Sequence, residues 1–201
     1  MKLYGTLIGA ILGTLVASNA LAASAPETHD GFYMQLQGGL GYYSTSAETL
    51  GVKAEYSGAT FATSFLLGGT PGAGLVVGGG MILDYGSSPT VEINGQEVPN
   101  SISSQYIVGI GPFVDYYPDP KGGLHFQLFP GWGGLESASN GNVGGSDPTG
   151  LVLSLGGGYE WWLSDQWSAG VLGRLIYAPL SMNDVDYTVV EPAVVASFTY
   201  H

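Results

Sequence analysis

The chain has no cysteine and very few basic residues. Without cysteine there is no disulfide, no zinc–thiolate site and no thiol nucleophile. Only 4 residues of 201 are Lys or Arg, against 16 Asp or Glu, and the formal net charge is -12. Because Lys and Arg bind the phosphates of nucleic acids, this composition excludes a DNA or RNA partner. Charged residues amount to 10% of the chain, well below the roughly 25% of soluble domains.

Long apolar segments are also missing beyond the N-terminus. No other apolar run reaches the roughly 20 residues that a membrane-spanning helix requires. Glycine, which weakens helices, accounts for 34 residues, whereas 13 Tyr and 4 Trp argue against disorder. The composition therefore fits a soluble β-sandwich or barrel, or a transmembrane β-barrel whose hydrophobicity is hidden in alternation.

Residues 1–22 have the three parts of a signal peptide. Lys2 precedes an apolar stretch from Leu7 to Ala17, and Ala20-Leu21-Ala22 supplies a small-x-small cleavage site. The apolar stretch is too short for a spanning helix. We expect cleavage after Ala22, export from the cytoplasm, a periplasmic N-terminal segment over residues 23–31 and one β-barrel domain over residues 32–201.

From Phe32 onward, apolar and polar residues alternate with a period of two, as in half-buried strands. In one segment Tyr106, Val108 and Ile110 share a face, while Gly109 lies on the other. The eight predicted strands cover residues 32–43, 58–69, 74–85, 105–117, 123–134, 151–162, 166–178 and 190–201. Strands of this length can cross a bilayer when tilted. Val108, Leu153 and Val194 are expected to face lipid near mid-membrane.

The connections alternate between short and long. The short ones cover residues 70–73, 118–122 and 163–165, and the long ones cover residues 44–57, 86–103, 136–149 and 179–188. Aromatic residues concentrate at the strand ends, where membrane barrels carry girdles. The sequence therefore predicts an all-β fold, an eight-stranded antiparallel up-and-down transmembrane β-barrel with short periplasmic turns and four long acidic external loops.

The signal peptide, the eight strands and the terminal alternation of Val194, Ala196, Phe198 and Tyr200 resemble the small OmpA/OmpX-like outer-membrane barrels. The stretch from Gly111 to Pro120, followed by Gly122-Gly123-Leu124-His125, is also similar to a hairpin of uncharacterised barrel proteins of Gram-negative bacteria, myxobacteria among them. The resemblance implies an outer-membrane location and contact with outer-membrane lipids and lipopolysaccharide. It also implies assembly by the barrel-assembly machinery, which reads an aromatic residue at the end of the final strand. Here His201 follows that aromatic residue.

Polar residues on the inward faces are predicted to fill the lumen as a polar plug. They are Asp84, Asp115, His125, Gln127, Glu160, Arg174 and Glu191. Arg174 is the single arginine of the chain, and a buried guanidinium needs a carboxylate partner. If Ala178 pairs with Val189, Glu191 lies diagonal to Arg174 across the last hairpin. A gated or ion-selective lumen is the alternative interpretation.

No catalytic site is recognisable in the sequence. Outer-membrane lipid A deacylases place a serine two residues after their histidine, but Gln127 follows His125. Omptin-like proteases need histidine and aspartate together at the external rim, where no histidine is expected. Asp184 and Asp186 form a DxD pattern that suits Ca²⁺ or Mg²⁺, although a solvated acidic rim is favoured. We expect no cofactor, no metal and no enzymatic activity.

The expected function is therefore a structural or surface-interaction role through the acidic external loops, without an open pore. Three alternatives stay open: a narrow outer-membrane channel, a lipid-modifying enzyme, and a soluble exported barrel that binds a small apolar ligand.

Overall fold

The computed structural model describes residues 27–49, 51–139, 142–143 and 147–201. The expected signal peptide and residues 23–26 of the expected periplasmic segment lie outside the described residues. Within the described ranges, no helix is long and apolar enough to cross a membrane.

The described residues form eleven strands. They are β1 (Phe32–Thr49), β2 (Val52–Gly72), β3 (Leu75–Ser87), β4 (Thr90–Ile93), β5 (Gln96–Glu97), β6 (Ile102–Tyr116), β7 (Leu124–Ser139), β8 (Asn142–Val143), β9 (Thr149–Ser164), β10 (Trp167–Met182) and β11 (Val185–Tyr200). Three of them are short: β4 and β5 form a hairpin that pairs with β2, and β8 pairs with β7. The other eight form a closed ring in the order β1, β2, β3, β6, β7, β9, β10 and β11, and β11 pairs with β1. Every neighbouring pair is antiparallel, so the predicted eight-stranded barrel is confirmed.

Side chains alternate between the lumen and the outside, as the period of two predicted. On β6, Ile110 is 70% exposed while Phe113 is buried. Leu40 on β1 and Val194 on β11 are 72% and 62% exposed and lie opposite each other. A soluble barrel points its apolar face inward, whereas this barrel carries a continuous apolar band on its outer surface. An outward apolar band is the surface that a transmembrane barrel presents to lipid.

The prediction of a long external loop is wrong for two of the four segments, because the strands continue through them. Residues 44–57 are mostly paired strand, since β1 runs to Thr49 and β2 starts at Val52. Residues 179–188 contain a two-residue turn, Asn183–Asp184, with φ of 50° and 62°. Positive φ at both central residues is the turn type that suits tight hairpins. The prediction missed these extensions because they lie beyond the apolar band, where alternation of apolar residues fades although pairing continues.

Exposed aromatic side chains form a girdle at each end of the band. Tyr42, Tyr85 and Tyr177 lie at the end that the sequence predicts to be external, and Tyr116 and Trp161 lie at the opposite end, which it predicts to be periplasmic. This distribution is the one expected at membrane interfaces. We use the names external and periplasmic for these two ends. Trp162, near the end of β9, packs at the periplasmic mouth of the lumen, with its ring centroid 4.7 Å from that of His29.

Inward glycines make room for large inward rings, as expected for a narrow barrel. A Cβ atom at Gly78 would lie 2.7 Å from the ring of Phe113, and one at Gly86 would lie 2.6 Å from the ring of Tyr43. Both distances are too short for carbon–carbon contact. The two glycines therefore provide the space in which the aromatic rings fill the lumen.

Because the outer band is apolar, the effect of an introduced charge on the free energy of unfolding is expected to depend strongly on where the charge is placed. Val194→Lys is expected to lower the free energy of unfolding in lipid vesicles by about 2–4 kcal/mol, the range for Lys at the bilayer midplane. The residue Ser101, which lies in an exposed external loop, provides the control Ser101→Lys, with an expected change within about 0.5 kcal/mol. Ser137, expected in a loop, lies in β7 and is a poorer control. Urea titration monitored by tryptophan fluorescence measures both variants, and equal effects would contradict a lipid-facing band.

Candidate functional site in the barrel lumen

The structure places all the predicted plug residues inside the barrel. Asp84, Asp115, His125, Gln127, Glu160, Arg174 and Glu191 are each buried. They do not form one cluster around Arg174, however. They separate into an upper ion pair towards the external side, a central network of amides and carboxylates, and a lower group at the periplasmic mouth.

In the upper group, Arg174 forms its ion pair with Asp84. The expected register is confirmed, because Ala178 pairs with Val189, and Glu191 lies diagonal to Arg174 as expected, but the ion-pair partner of Arg174 is Asp84 rather than Glu191. The Glu191 Oε1 atom instead accepts a hydrogen bond of 2.7 Å from the Thr60 hydroxyl. Asp84 extends from β3 and reaches Arg174 on β10 across the lumen, so a contact between non-neighbouring strands replaces the predicted hairpin contact.

In the central network, Asp115 receives hydrogen bonds from three side chains. Tyr33 donates from its hydroxyl at 2.9 Å, His125 Nδ1 lies 2.9 Å from the carboxylate, and Gln127 donates from its amide at 3.1 Å. The same Gln127 amide also donates to Gln35 at 3.0 Å. These bonds link β1, β6 and β7 across the lumen and satisfy polar groups that would otherwise be costly to bury.

Glu160 on β9 connects the network to the mouth by accepting five hydrogen bonds. Its Oε1 atom accepts from Gln35, Ser197 and Thr199 at 3.0, 2.8 and 2.6 Å. Its Oε2 atom accepts from Ser168 at 2.7 Å and from Tyr117 at 3.2 Å. An ionised carboxylate accepts hydrogen bonds and donates none, so the five donors match that form.

The segment that precedes β1 packs across the periplasmic mouth. His29 is fully buried: its backbone N–H donates to Pro120 at 2.8 Å, and its carbonyl accepts from Gly74 at 3.0 Å. Its ring stacks on Tyr117 with centroids 3.5 Å apart, and Tyr117 stacks on His125 at 5.0 Å. Burial, reinforced by His201, lowers the pKa of His29 to about 3, so that its imidazole is neutral at physiological pH.

Sequence reasoning missed His29 as a lumen residue, and it missed that His29 and His201 meet. It placed His29 in an N-terminal tail, and it placed His201 on the inward face at the end of the predicted strand 190–201. His201 is buried, its backbone N–H donates to Gln166 at 2.9 Å, and its Nε2 atom lies 3.0 Å from the Ser168 hydroxyl. His29 lies outside the alternating segments, so the period of two carried no signal for it.

His125 and Asp115 form a histidine–carboxylate contact in the central network. Both residues are fully buried, and the side chains that contact them include those of Tyr33, Tyr117 and Gln127. Among the described residues, no serine or threonine hydroxyl is hydrogen-bonded to His125.

Acidic side chains dominate the external end of the barrel. The group comprises Glu48, Glu55, Glu92, Glu97, Glu136, Asp147, Asp184 and Asp186. Lys53 forms an exposed ion pair with Glu55 at 2.7 Å, and an exposed pair contributes little to stability. We refer to these eight acidic residues as the acidic rim.

Comparison with solved structures identifies proteins with the same fold. The Neisserial surface protein A (NspA) matches with a TM-score of 0.54 and 15% identity over 89% of this chain and 99% of that protein. The outer membrane protein OprG from Pseudomonas aeruginosa matches with a TM-score of 0.51 and 14% identity over 88% of this chain and 99% of that protein. No protein-family model and no curated protein matches the chain. At this identity the likeness establishes the fold alone, which is that of the small outer-membrane β-barrels and agrees with the resemblance and location expected from the sequence.

Proposed function

We propose that this protein is an outer-membrane barrel with a closed lumen, which has a structural or surface-interaction role at its external end. One observation carries the proposal: the rings of His29, Tyr117 and His125 stack across the periplasmic mouth, directly beside the hydrogen-bonded carboxylate of Glu160. An eight-stranded barrel is just wide enough for side chains to fill its interior. Buried rings and bonded polar groups thus occupy the path that an ion or solute would need.

The external role acts through the acidic rim. A surface with eight carboxylates and one nearby lysine attracts cations and repels anions. The rim therefore favours partners with basic surfaces, and contact with anionic lipopolysaccharide headgroups requires bridging divalent cations. The lipid chains contact the outward apolar band, and the final strand β11, with Phe198 and Tyr200, carries the signal for the barrel-assembly machinery.

The absence of enzymatic activity is part of the proposal. Both His125 and its partner Asp115 are sealed from solvent, and their hydrogen bonds are used to hold Tyr33 and Gln127. A narrow channel is the main competing function, because polar groups line the lumen throughout its length.

The closed lumen predicts that wild-type protein reconstituted into planar bilayers gives no steady single-channel conductance. Insertion is verified on the same preparation by heat-dependent mobility in gels and by protease protection in vesicles, and a general porin provides the positive control. Reproducible ohmic openings of wild-type protein would overturn the closed-lumen proposal and support the channel.

A further inference from the structure

Three potential metal ligands converge at the periplasmic mouth from distant parts of the chain. His29 precedes β1, Glu160 lies near the end of β9, and His201 follows β11. All three are buried, and one ligand atom from each lies within 4.8 Å of the others. Two imidazoles and a carboxylate are the donor set that proteins use for zinc and other divalent transition metals.

The spacing of the donor atoms matches that of ligands around one ion. Zinc binds histidine nitrogen at about 2.0–2.1 Å in a tetrahedron, which separates two ligand atoms by about 3.3 Å. His29 Nδ1 lies 3.1 and 3.2 Å from the two ring nitrogens of His201. The distance from His201 Nε2 to Glu160 Oε2 is 3.6 Å. Small shifts of these side chains therefore suffice to place the three donors around a metal.

The surroundings orient two of the three ligands. His29 Nε2 lies 2.9 Å from the Gly122 carbonyl, and because a carbonyl only accepts, this nitrogen carries the hydrogen. In the neutral ring the Nδ1 lone pair then points towards His201. A second ring nitrogen that donates to a carbonyl is the usual outer-shell support of a ligating histidine. The hydroxyl groups of Ser168 and Tyr117 each donate a hydrogen bond to Glu160 Oε2 and thereby fix the position of this carboxylate.

From this geometry we propose that His29, Glu160 and His201 bind one divalent transition-metal ion, with Zn²⁺ as the representative ligand. The ion ties the segment before β1 to the ends of β9 and β11, so it cross-links the closure of the periplasmic mouth. Soft thiolate-binding metals are disfavoured because the chain has no cysteine.

The test is a titration of the full protein, refolded in detergent and freed of metal by chelator, with ZnCl₂ against a chromophoric zinc indicator. We expect one tightly bound zinc per chain and a rise in the melting temperature. His29→Ala and His201→Ala should each weaken zinc binding at least about tenfold, the smallest loss typical even of outer-shell changes. His125→Gln is the matched control, because His125 is a buried histidine outside the ligand set, and it should leave zinc affinity unchanged.

Selective ¹⁵N labelling of histidine makes the test independent of variant folding. In wild-type protein, one equivalent of zinc should shift the ring-nitrogen signals of two of the three histidines and leave the third in place. Absence of any shift would overturn the proposal. So would zinc binding that survives in the folded His29→Ala/His201→Ala double variant, because it would assign the metal to the acidic rim.

Discussion

Glu160→Leu is expected to destabilise the barrel by about 3 kcal/mol or more, which is a large share of the 5–15 kcal/mol that stabilises a typical protein. The substitution removes the acceptor of five buried donors: Gln35, Tyr117, Ser168, Ser197 and Thr199. Each donor left without a partner costs about 1–3 kcal/mol, although some of them can bond to one another after rearrangement. Equilibrium unfolding in urea, followed by tryptophan fluorescence and by heat-dependent gel mobility, measures the loss.

Two further variants serve as comparisons for Glu160→Leu. Glu160→Gln keeps one acceptor oxygen but introduces an amide that faces other donors, so an intermediate loss is expected. Glu136→Gln removes a carboxylate from the exposed acidic rim and should change stability by less than about 0.5 kcal/mol. If Glu160→Leu were as mild as Glu136→Gln, the five bonds would contribute nothing net and Glu160 would not organise the lumen.

The alternation of the sequence was sufficient to predict the barrel and its two faces. Each inward or outward assignment depends only on the pleat of a strand, which a local period of two reports directly. Ile110 and Phe113 are both large and apolar, yet their positions in the alternation assigned them correctly to lipid and to lumen. The glycines beside Phe113 and Tyr43 also lie on the inward face, where small residues provide space for large ones.

Contacts across the lumen could not be predicted in the same way. Whether Arg174 on β10 meets Asp84 on β3 depends on the tilt and stagger of the whole ring, because the two strands are not neighbours. The sequence could relate Arg174 only to residues of an adjacent strand, and Glu191 was the nearest carboxylate there. His29 and His201 present the same difficulty, since residues 172 positions apart meet only when the ring closes.

Breaking the upper ion pair is the second large effect. Arg174→Met should lower the free energy of unfolding by about 3–5 kcal/mol, the usual cost of removing one partner of a buried pair. Methionine preserves much of the side-chain volume, while Asp84 loses its counter-charge and Glu191 stays buried nearby. The measurement is again urea unfolding in vesicles.

A double-mutant comparison identifies the carboxylate that is coupled to Arg174. Arg174→Met combined with Asp84→Asn should cost less than the sum of the single changes, with a coupling of at least about 1 kcal/mol. Arg174→Met combined with Glu191→Gln should show the smaller coupling, because Glu191 is hydrogen-bonded to Thr60 rather than to the guanidinium. Glu191 is buried like Asp84 and also carries a carboxyl group, so the comparison separates the ion pair from a general effect of removing a buried carboxyl. A larger coupling to Glu191 would instead support the hairpin pairing that the sequence predicted and contradict the ion pair across the lumen.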